Sequence, residues 1–216
     1  MYKKSSKGEP ICLWCLRDLY HDATLLSIFN ERQLLCMDCS LKLKQQKIAF
    51  MLDGVEVISF VEYDENISRL MILYKEHCDE ALAPIFFNRW KKHIVKKYKG
   101  YICIPLPSSS EKVTQRGFHH LHRMIESIDL EMADVLVKSK NVKQAKLSKE
   151  DRKHIDMIFE IRKDIECSFE NVVLMDDVCT TGASLKAAIA RLRPYCKNIR
   201  AITFSYHPLW KTEAIR

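Results

Sequence analysis

The residues richest in chemistry lie in one stretch, Val172-Val-Leu-Met-Asp176-Asp177-Val178-Cys179-Thr180-Thr181-Gly182-Ala183-Ser184. Four apolar residues read as a buried central strand, and two adjacent carboxylates stand where it ends, at the kind of parallel-sheet edge where ligands bind. The turn that follows offers backbone N–H groups, two hydroxyls and a glycine, and it opens a helix from about Ala183 to Leu192. A helix N-terminus, with free N–H groups and a positive dipole end, favours phosphate, and Gly182 lets the backbone come close to the anion. Carboxylates beside a phosphate would repel it unless they address something else. An ionised Asp only accepts hydrogen bonds and a vicinal diol offers two donors, so the pair suits sugar hydroxyls. Acids there also tolerate or favour a nearby Mg2+. The segment asks for a ribose 5-phosphate. A capped helix after a strand, with the acids merely solvated, accounts for the Thr and Gly but leaves the thirteen-residue arrangement to chance.

Four of the nine cysteines form a second constellation: Cys12-Leu-Trp-Cys15 and Cys36-Met-Asp-Cys39, with twenty residues between the pairs. Two such knuckles put four thiolates at the corners of a tetrahedron, which suits Zn2+. The intervening segment is too short for a core of its own, so the metal would supply much of its folding energy. A redox dithiol is the competing reading, but such motifs use a single CxxC beside a βαβ pattern, and none surrounds either pair. Zinc is the expectation. The other five cysteines are scattered and read mostly as small buried apolar residues.

These groups need elements to hold them. The chain has 216 residues, 47% apolar and 29% charged, enough for a medium domain plus a small module. No apolar run approaches the twenty or so residues of a membrane span, and no apolar stretch follows Lys3, Lys4 and Lys7, so neither an integral membrane segment nor a secretory signal is expected. The expected address is the cytoplasm, and nine cysteines in such a chain argue against a disulfide framework. A net charge of +7 suits an anionic partner, though weakly.

The Leu41–Lys47 run reads as a short basic helix leaving the cysteine module, which gives a zinc-binding module over 1–48 and a second domain over 49–216. VEVISFVEY, Val55 to Tyr63, alternates as a strand with one buried face. Asn66 can cap a helix carrying Ile67, Leu70, Met71 and Tyr74, and a second helix runs from about Glu80 to Lys99. Tyr101–Leu106 reads as a buried strand, Ser108–Gln115 as polar, and Phe118, Leu121, Ile125 and Ile128 as a further helix. Ala133–Val137 and Ile199–Tyr206 read as strands, and Lys138–Lys153 as a basic loop passing into a helix. Strands alternating with helices predict an α/β fold with a largely parallel sheet. Phe86 to Tyr101 carries Arg89, Lys91, Lys92, Lys96, Lys97 and Lys99 without an acid, interleaved with Trp90, Tyr98 and Tyr101. Charge for a backbone and flat faces for bases suit single-stranded nucleic acid, yet Trp90 falls on the apolar helix face and reads as core.

The Val172–Ser184 segment resembles the phosphoribosyl pyrophosphate (PRPP) signature of type I phosphoribosyltransferases. The resemblance implies that Asp176 and Asp177 hold the ribose hydroxyls and that the run from Cys179 to Ser184 wraps the 5-phosphate. Upstream, Pro105-Leu-Pro107 followed by Arg116-Gly117-Phe118 is similar to the PxP…RGF element of the ComF family, as are Leu73-Tyr74-Lys75 with Asp79 and Gln144…Leu147…Arg152 to its further landmarks. That family joins a four-cysteine zinc module to a type I phosphoribosyltransferase-like domain, so the implied fold is a parallel sheet flanked by helices behind a small N-terminal zinc module. Arg116 and Gly117 make physical sense beside a pyrophosphate, as a forked, permanently charged donor and a residue that lets an amide face the anion. Lys75 joins the ligand-binding set on the same resemblance. The family's usual Asn-Gln after RGF is replaced here by His119 and His120, with His122 close behind; surface histidines are the expected reading, a second metal site the alternative.

Two functions follow from the resemblance. In one, the protein transfers phosphoribose from PRPP, with Mg2+, to an acceptor and releases pyrophosphate, although no acceptor pocket is recognisable in the sequence. In the other, which we favour, it acts in DNA uptake during transformation and retains the PRPP site. Single-stranded DNA and competence helicase-like and recombination proteins are then the implied partners, with recruitment to a membrane-associated uptake machinery.

Overall fold

The computed structural model describes residues 10–19, 33–139, 158–164 and 168–215. The strands are β1 (Gln45–Leu52), β2 (Val55–Glu62), β3 (Ile102–Pro105), β4 (Leu136–Lys138), β5 (Phe159–Ile161), β6 (Phe169–Cys179) and β7 (Cys196–Tyr206). The helices are α1 (Met37–Lys42), α2 (Glu65–Lys75), α3 (Ala83–Phe87), α4 (Lys91–Lys97), α5 (Ser110–Arg116), α6 (His120–Glu126) and α7 (Ala183–Leu192).

Five strands form one sheet in the order β1-β2-β7-β6-β3. β2, β7, β6 and β3 run parallel, and β1 adds an antiparallel edge through the Asp53-Gly54 turn. The fold is thus the expected α/β architecture, a parallel-dominated sheet flanked by helices. β2 was expected to bury one face but is buried along nearly its whole length, because parallel strands covered on both sides have no solvent face to alternate toward. The strand β1 begins at Gln45, so the sheet reaches into the segment assigned from sequence to the cysteine module, and the basic helix expected at Leu41–Lys47 ends at Lys42.

Several local expectations are corrected. Helix α2 is capped by Asp64, whose Oδ1 accepts the Ile67 N–H at 2.9 Å, rather than by Asn66. The continuous helix expected over Glu80–Lys99 is broken into α3, α4 and two 3-10 turns, Glu80–Leu82 and Asn88–Trp90. The break turns Trp90 onto Phe60, ring centroids 4.8 Å apart, and Phe204 at 6.3 Å, so this tryptophan is indeed core packing. Ser108–Gln115 holds a short helix, α5, capped by the Ser109 hydroxyl. The strand expected at Ala133–Val137 starts later, as β4, and pairs antiparallel with β5 in a separate two-stranded sheet. Most of the basic loop expected at Lys138–Lys153, with Gln144, Leu147 and Arg152, lies outside the described residues.

Candidate functional site

The strand β6 does not stop at Met175. It continues through Asp176 and Asp177 to Cys179, paired with β7 up to Tyr206, so both acids are held by ladder geometry. Alternation then sends them to opposite faces of the sheet. The Asp176 carboxylate accepts the Asp177 N–H at 2.9 Å and is half-buried, whereas Asp177 is buried. Burial, and then the charge of Asp177, push the Asp176 carboxyl up to about 7. Burial would raise Asp177 too, but the Lys75 ammonium and the His120 hydrogen bond hold it well below the usual carboxylate range.

The turn after β6 is anchored from behind. The Cys179 carbonyl accepts the His207 N–H at 2.9 Å, and the Thr180 carbonyl accepts the Trp210 indole N–H at 2.7 Å. Trp210 itself stacks on Phe50, centroids 4.4 Å apart. Gly182 has φ +75°, and a Cβ there would lie 3.0 Å from one methyl of Leu52 and 3.2 Å from Trp210. The position requires glycine for both reasons: a left-handed backbone, and close packing beneath the turn. Thr180, Thr181 and Ser184 are exposed, so their hydroxyls face solvent at the start of α7. Ala183 opens the helix, its N–H donating to the Thr181 hydroxyl at 3.4 Å. Cys179 points inward, with burial and the Asp176 charge raising its thiol to about 12, and Val178 packs against the core. The side chains available to an anion are therefore the three hydroxyls.

Two residues from distant segments converge on Asp177, and a third, Ser108, stands behind one of them. Lys75, the last residue of α2, pairs with Asp177 Oδ2, and His120 Nε2 lies 2.7 Å from the same oxygen. The other ring nitrogen, Nδ1, is 3.2 Å from Ser108 Oγ. An ionised carboxylate can only accept, so Nε2 carries the proton and Nδ1 accepts from the serine hydroxyl. Burial holds the His120 imidazole below its usual range, against the pull of Asp177. The expectation of a surface histidine fails here: His120 is 7% exposed, and Tyr74 Oη clamps its backbone carbonyl at 2.6 Å. His119 and His122 stack with centroids 4.4 Å apart, and His122 Nε2 reaches Asp134 at 2.8 Å. Among the described residues these histidines join no cluster of metal-ligand geometry.

Arg116 is brought to the same neighbourhood, but not as an open fork. Its Nε donates to the Lys75 carbonyl at 2.9 Å, the side chain is 9% exposed, and Nη1 is buried without a partner among the described residues. Gly117 is accounted for by helix termination: φ is +83° and its N–H donates to the Val113 carbonyl at 2.8 Å, closing α5. A cavity of about 760 Å³ opens alongside, between the Pro105–Ser110 turn, α6 and the β4–β5 strand pair. Its lining includes Ser108, His119, His120, Asp134, Lys138 and Arg162. The cavity and the Asp177–His120–Ser108 chain were invisible in the sequence. The only hint was a histidine-rich run directly after the glycine of a helix stop.

The four cysteines meet as expected. The Sγ atoms of Cys12, Cys15, Cys36 and Cys39 all lie within 4.8 Å of one another, with Cys15 and Cys36 at 3.7 Å. Tetrahedral Zn–S bonds of about 2.3 Å imply S···S separations of about 3.8 Å, so the donor set fits the ion. Burial, and then the charge of Cys12, push the Cys39 thiol far above its usual range. The module is tied to the domain by Leu13, Leu34 and Leu43, which belong to the main core, and by Arg89 Nη1 on Ser40 Oγ at 3.3 Å. In α4 and just beyond it, Lys91 pairs with Asp129 and Lys97 with Glu56, while Lys92, Lys96 and Lys99 are exposed and make no ion pair among the described residues. No helix among the described residues is long and apolar enough to cross a membrane.

Comparison with known proteins matches residues 113–209 to the phosphoribosyl transferase domain family. The chain is 25% identical over 186 residues to the competence protein ComFC of Bacillus subtilis, covering 83% of this chain and 76% of that protein. It is likewise 25% identical over 178 residues to ComFC of Streptococcus pneumoniae, covering 82% and 72%. Among solved structures, a hypoxanthine-guanine phosphoribosyltransferase from Bacillus anthracis matches with 15% identity and a TM-score of 0.36, over 57% of this chain and 66% of that one. A hypoxanthine phosphoribosyltransferase from Staphylococcus aureus matches with 16% identity and a TM-score of 0.37, over 57% and 62%. The match therefore spans somewhat less than two thirds of either structure.

Proposed function

We propose, from the premise that this chain is a ComFC-like protein with a phosphoribosyltransferase-like fold, that it is competence-associated and binds PRPP at the end of β6. One observation carries the ligand: Asp176 and Asp177 directly precede a turn whose Thr180, Thr181 and Ser184 hydroxyls are exposed at the start of α7. A ribose 5-phosphate can span them, its hydroxyls toward the acids and its phosphate on the hydroxyls and the N-terminal N–H groups of a ten-residue helix. Arg116 and Lys75 supply positive charge beside the acids, where the pyrophosphate would leave the ribose, and Gly117 keeps the backbone turn that seats Arg116. Mg2+ enters with the ligand as part of the substrate and offsets the pyrophosphate charge.

On this reading the chain has two parts, a zinc module in which Cys12, Cys15, Cys36 and Cys39 hold the metal and a domain whose sheet already begins with β1 at Gln45. Transport of incoming single-stranded DNA supplies the cellular context, with helicase-like and recombination proteins as partners at the uptake machinery. Lys92, Lys96 and Lys99 are the groups best placed to meet a phosphodiester backbone. Neutralising all three should reduce the salt slope of single-stranded DNA binding by about 2, at about 0.7 per lost phosphate contact; an unchanged slope removes these lysines from the interface. The same fold also supports transfer of phosphoribose to an acceptor, and the cavity lined by His120 favours that reading.

The ligand is tested by calorimetric titration of PRPP and Mg2+ into the zinc-loaded full chain, beside the Asp176→Asn, Asp177→Asn double variant. Saturable binding that the variant loses is expected. A folded wild-type protein that gives no heat would overturn the proposal.

A further inference from the structure

We propose that Ser108, His120 and Asp177 form a proton relay serving an acceptor in the adjoining cavity, and that this acceptor is a hydroxyl or amine compound that must shed a proton as it bonds to the ribose. The inference rests on the phosphoribosyl reading above and goes further, by naming the acceptor's chemical class and the groups that act on it.

The relay is continuous. Ser108 Oγ stands 3.2 Å from His120 Nδ1, and His120 Nε2 stands 2.7 Å from Asp177 Oδ2. One end, Ser108, is half-buried and lines the 760 Å³ cavity; the other lies on the acid pair assigned to the ribose. A cavity of this size suits a small-molecule substrate. Neutralising Asp177 does not require the histidine, because Lys75 already pairs with the same oxygen. What the imidazole adds is a route from that carboxylate to the cavity wall. Its ring is fixed: Tyr74 holds the His120 carbonyl at 2.6 Å, and both nitrogens are engaged. The charged groups facing it are Asp177, which favours an imidazolium, and Lys75 and Arg116, which oppose one. With burial added, these keep the ring neutral at rest and able to accept a proton.

The step balances without a further reagent. The acceptor's proton passes to Ser108 Oγ as the serine proton passes to His120 Nδ1. The acceptor's lone pair forms the new bond to the anomeric carbon, and the carbon–oxygen bond to pyrophosphate breaks with its electron pair on the leaving group. The imidazolium, held by Asp177, then returns its proton to solvent. Ser108 is the catalytic hydroxyl, and His120 and Asp177 position and discharge it.

The experiment supplies PRPP and Mg2+ to the zinc-loaded full chain with water, ammonium or ethanol as acceptor and follows pyrophosphate release, with PRPP affinity measured in parallel by calorimetry. Ser108→Ala should lower kcat by about 100-fold while KM for PRPP moves by less than about threefold, and Ser108→Thr should restore much of the rate. The wild-type rate should fall on the acid side as His120 protonates, and Ser108→Ala should lose that limb. Equal rates and pH profiles for wild type and Ser108→Ala overturn the relay, as does a wild type that binds PRPP but releases no pyrophosphate with any of the three acceptors. Either result leaves PRPP binding standing. A folded wild type that fails to bind PRPP overturns both.

Discussion

Replacing Gly182 by alanine tests whether the turn after β6 is held by two separable constraints. The backbone there has φ +75°, and the new Cβ would meet the Leu52 methyl carbons at 3.0 and 3.2 Å and the Trp210 ring at 3.2 Å. The left-handed backbone costs an alanine roughly 1–2 kcal/mol. Moving Leu52, which is 2% exposed and backed by core, adds about 1 kcal/mol of overpacking. The expected loss is about 2–3 kcal/mol, a fall in melting temperature of about 4–12 °C for a chain of this size. The part of the steric cost that falls on Leu52 should vanish when Leu52 is also truncated; the conformational part and the approach to Trp210 should not. Urea denaturation of wild type, Gly182→Ala, Leu52→Ala and the double variant, all zinc-saturated, closes the cycle. Leu52→Ala alone should cost about 2–5 kcal/mol. Adding Gly182→Ala to it should then cost less than in the wild-type background, about 1–2 kcal/mol for the left-handed backbone together with the contact that remains to Trp210. A Gly182→Ala cost equal in both backgrounds refutes the contact, and no cost in either refutes the conformational argument as well.

Three other outcomes are expected. Lys75→Met leaves the buried Asp177 carboxylate without its ammonium partner, so stability at pH 7 should drop by about 3–5 kcal/mol; because Asp177 is held low, the loss should be full above the ordinary carboxylate range and shrink as the pH falls through it, and a loss independent of pH would mean that the pair contributes nothing electrostatic. Cys36→Ser removes one corner of the thiolate cluster and the residue that starts α1, so zinc measured by atomic emission should fall from about one per chain to near zero; unchanged metal content would sink the assignment. Asp176 is raised to about 7, so the folded state binds a proton that the unfolded chain releases near pH 4; its contribution should lower the melting temperature progressively between those values, and Asp176→Asn should flatten the curve, an unaltered slope showing that Asp176 titrates normally.

What could be read from the chain was whatever is local. The acid pair, Thr180, Thr181 and Gly182 sit within seven consecutive residues, so composition and order alone expose a strand, a turn and a helix start. The cysteine knuckles declare themselves through spacing, because a tetrahedron of thiolates requires little else. The environment of Asp177 depends instead on Lys75 and on His120, 57 positions away, and only the parallel pairing of β3, β6 and β7 brings those segments to one edge. Arg116 shows the same gap: a residue that reads as a solvent-facing anion clamp is turned inward once Lys75 offers its carbonyl. The broken helix before α4 was missed for a different reason. Its apolar spacing satisfies a helix, but Trp90 reaches Phe60 and Phe204 only if the backbone tightens at Asn88.

The indole of Trp210 gives this protein an optical gauge of its own loop. The ring donates to the Thr180 carbonyl and lies flat on Phe50, so any ligand that draws the Thr180–Ser184 turn toward itself changes the polarity around a single fluorophore. The other two tryptophans, Trp14 beside the cysteine cluster and Trp90 against Phe60, sit in different surroundings. A chain with those two changed to phenylalanine would report occupancy of the loop by emission alone, without a label and without knowing what the second substrate is.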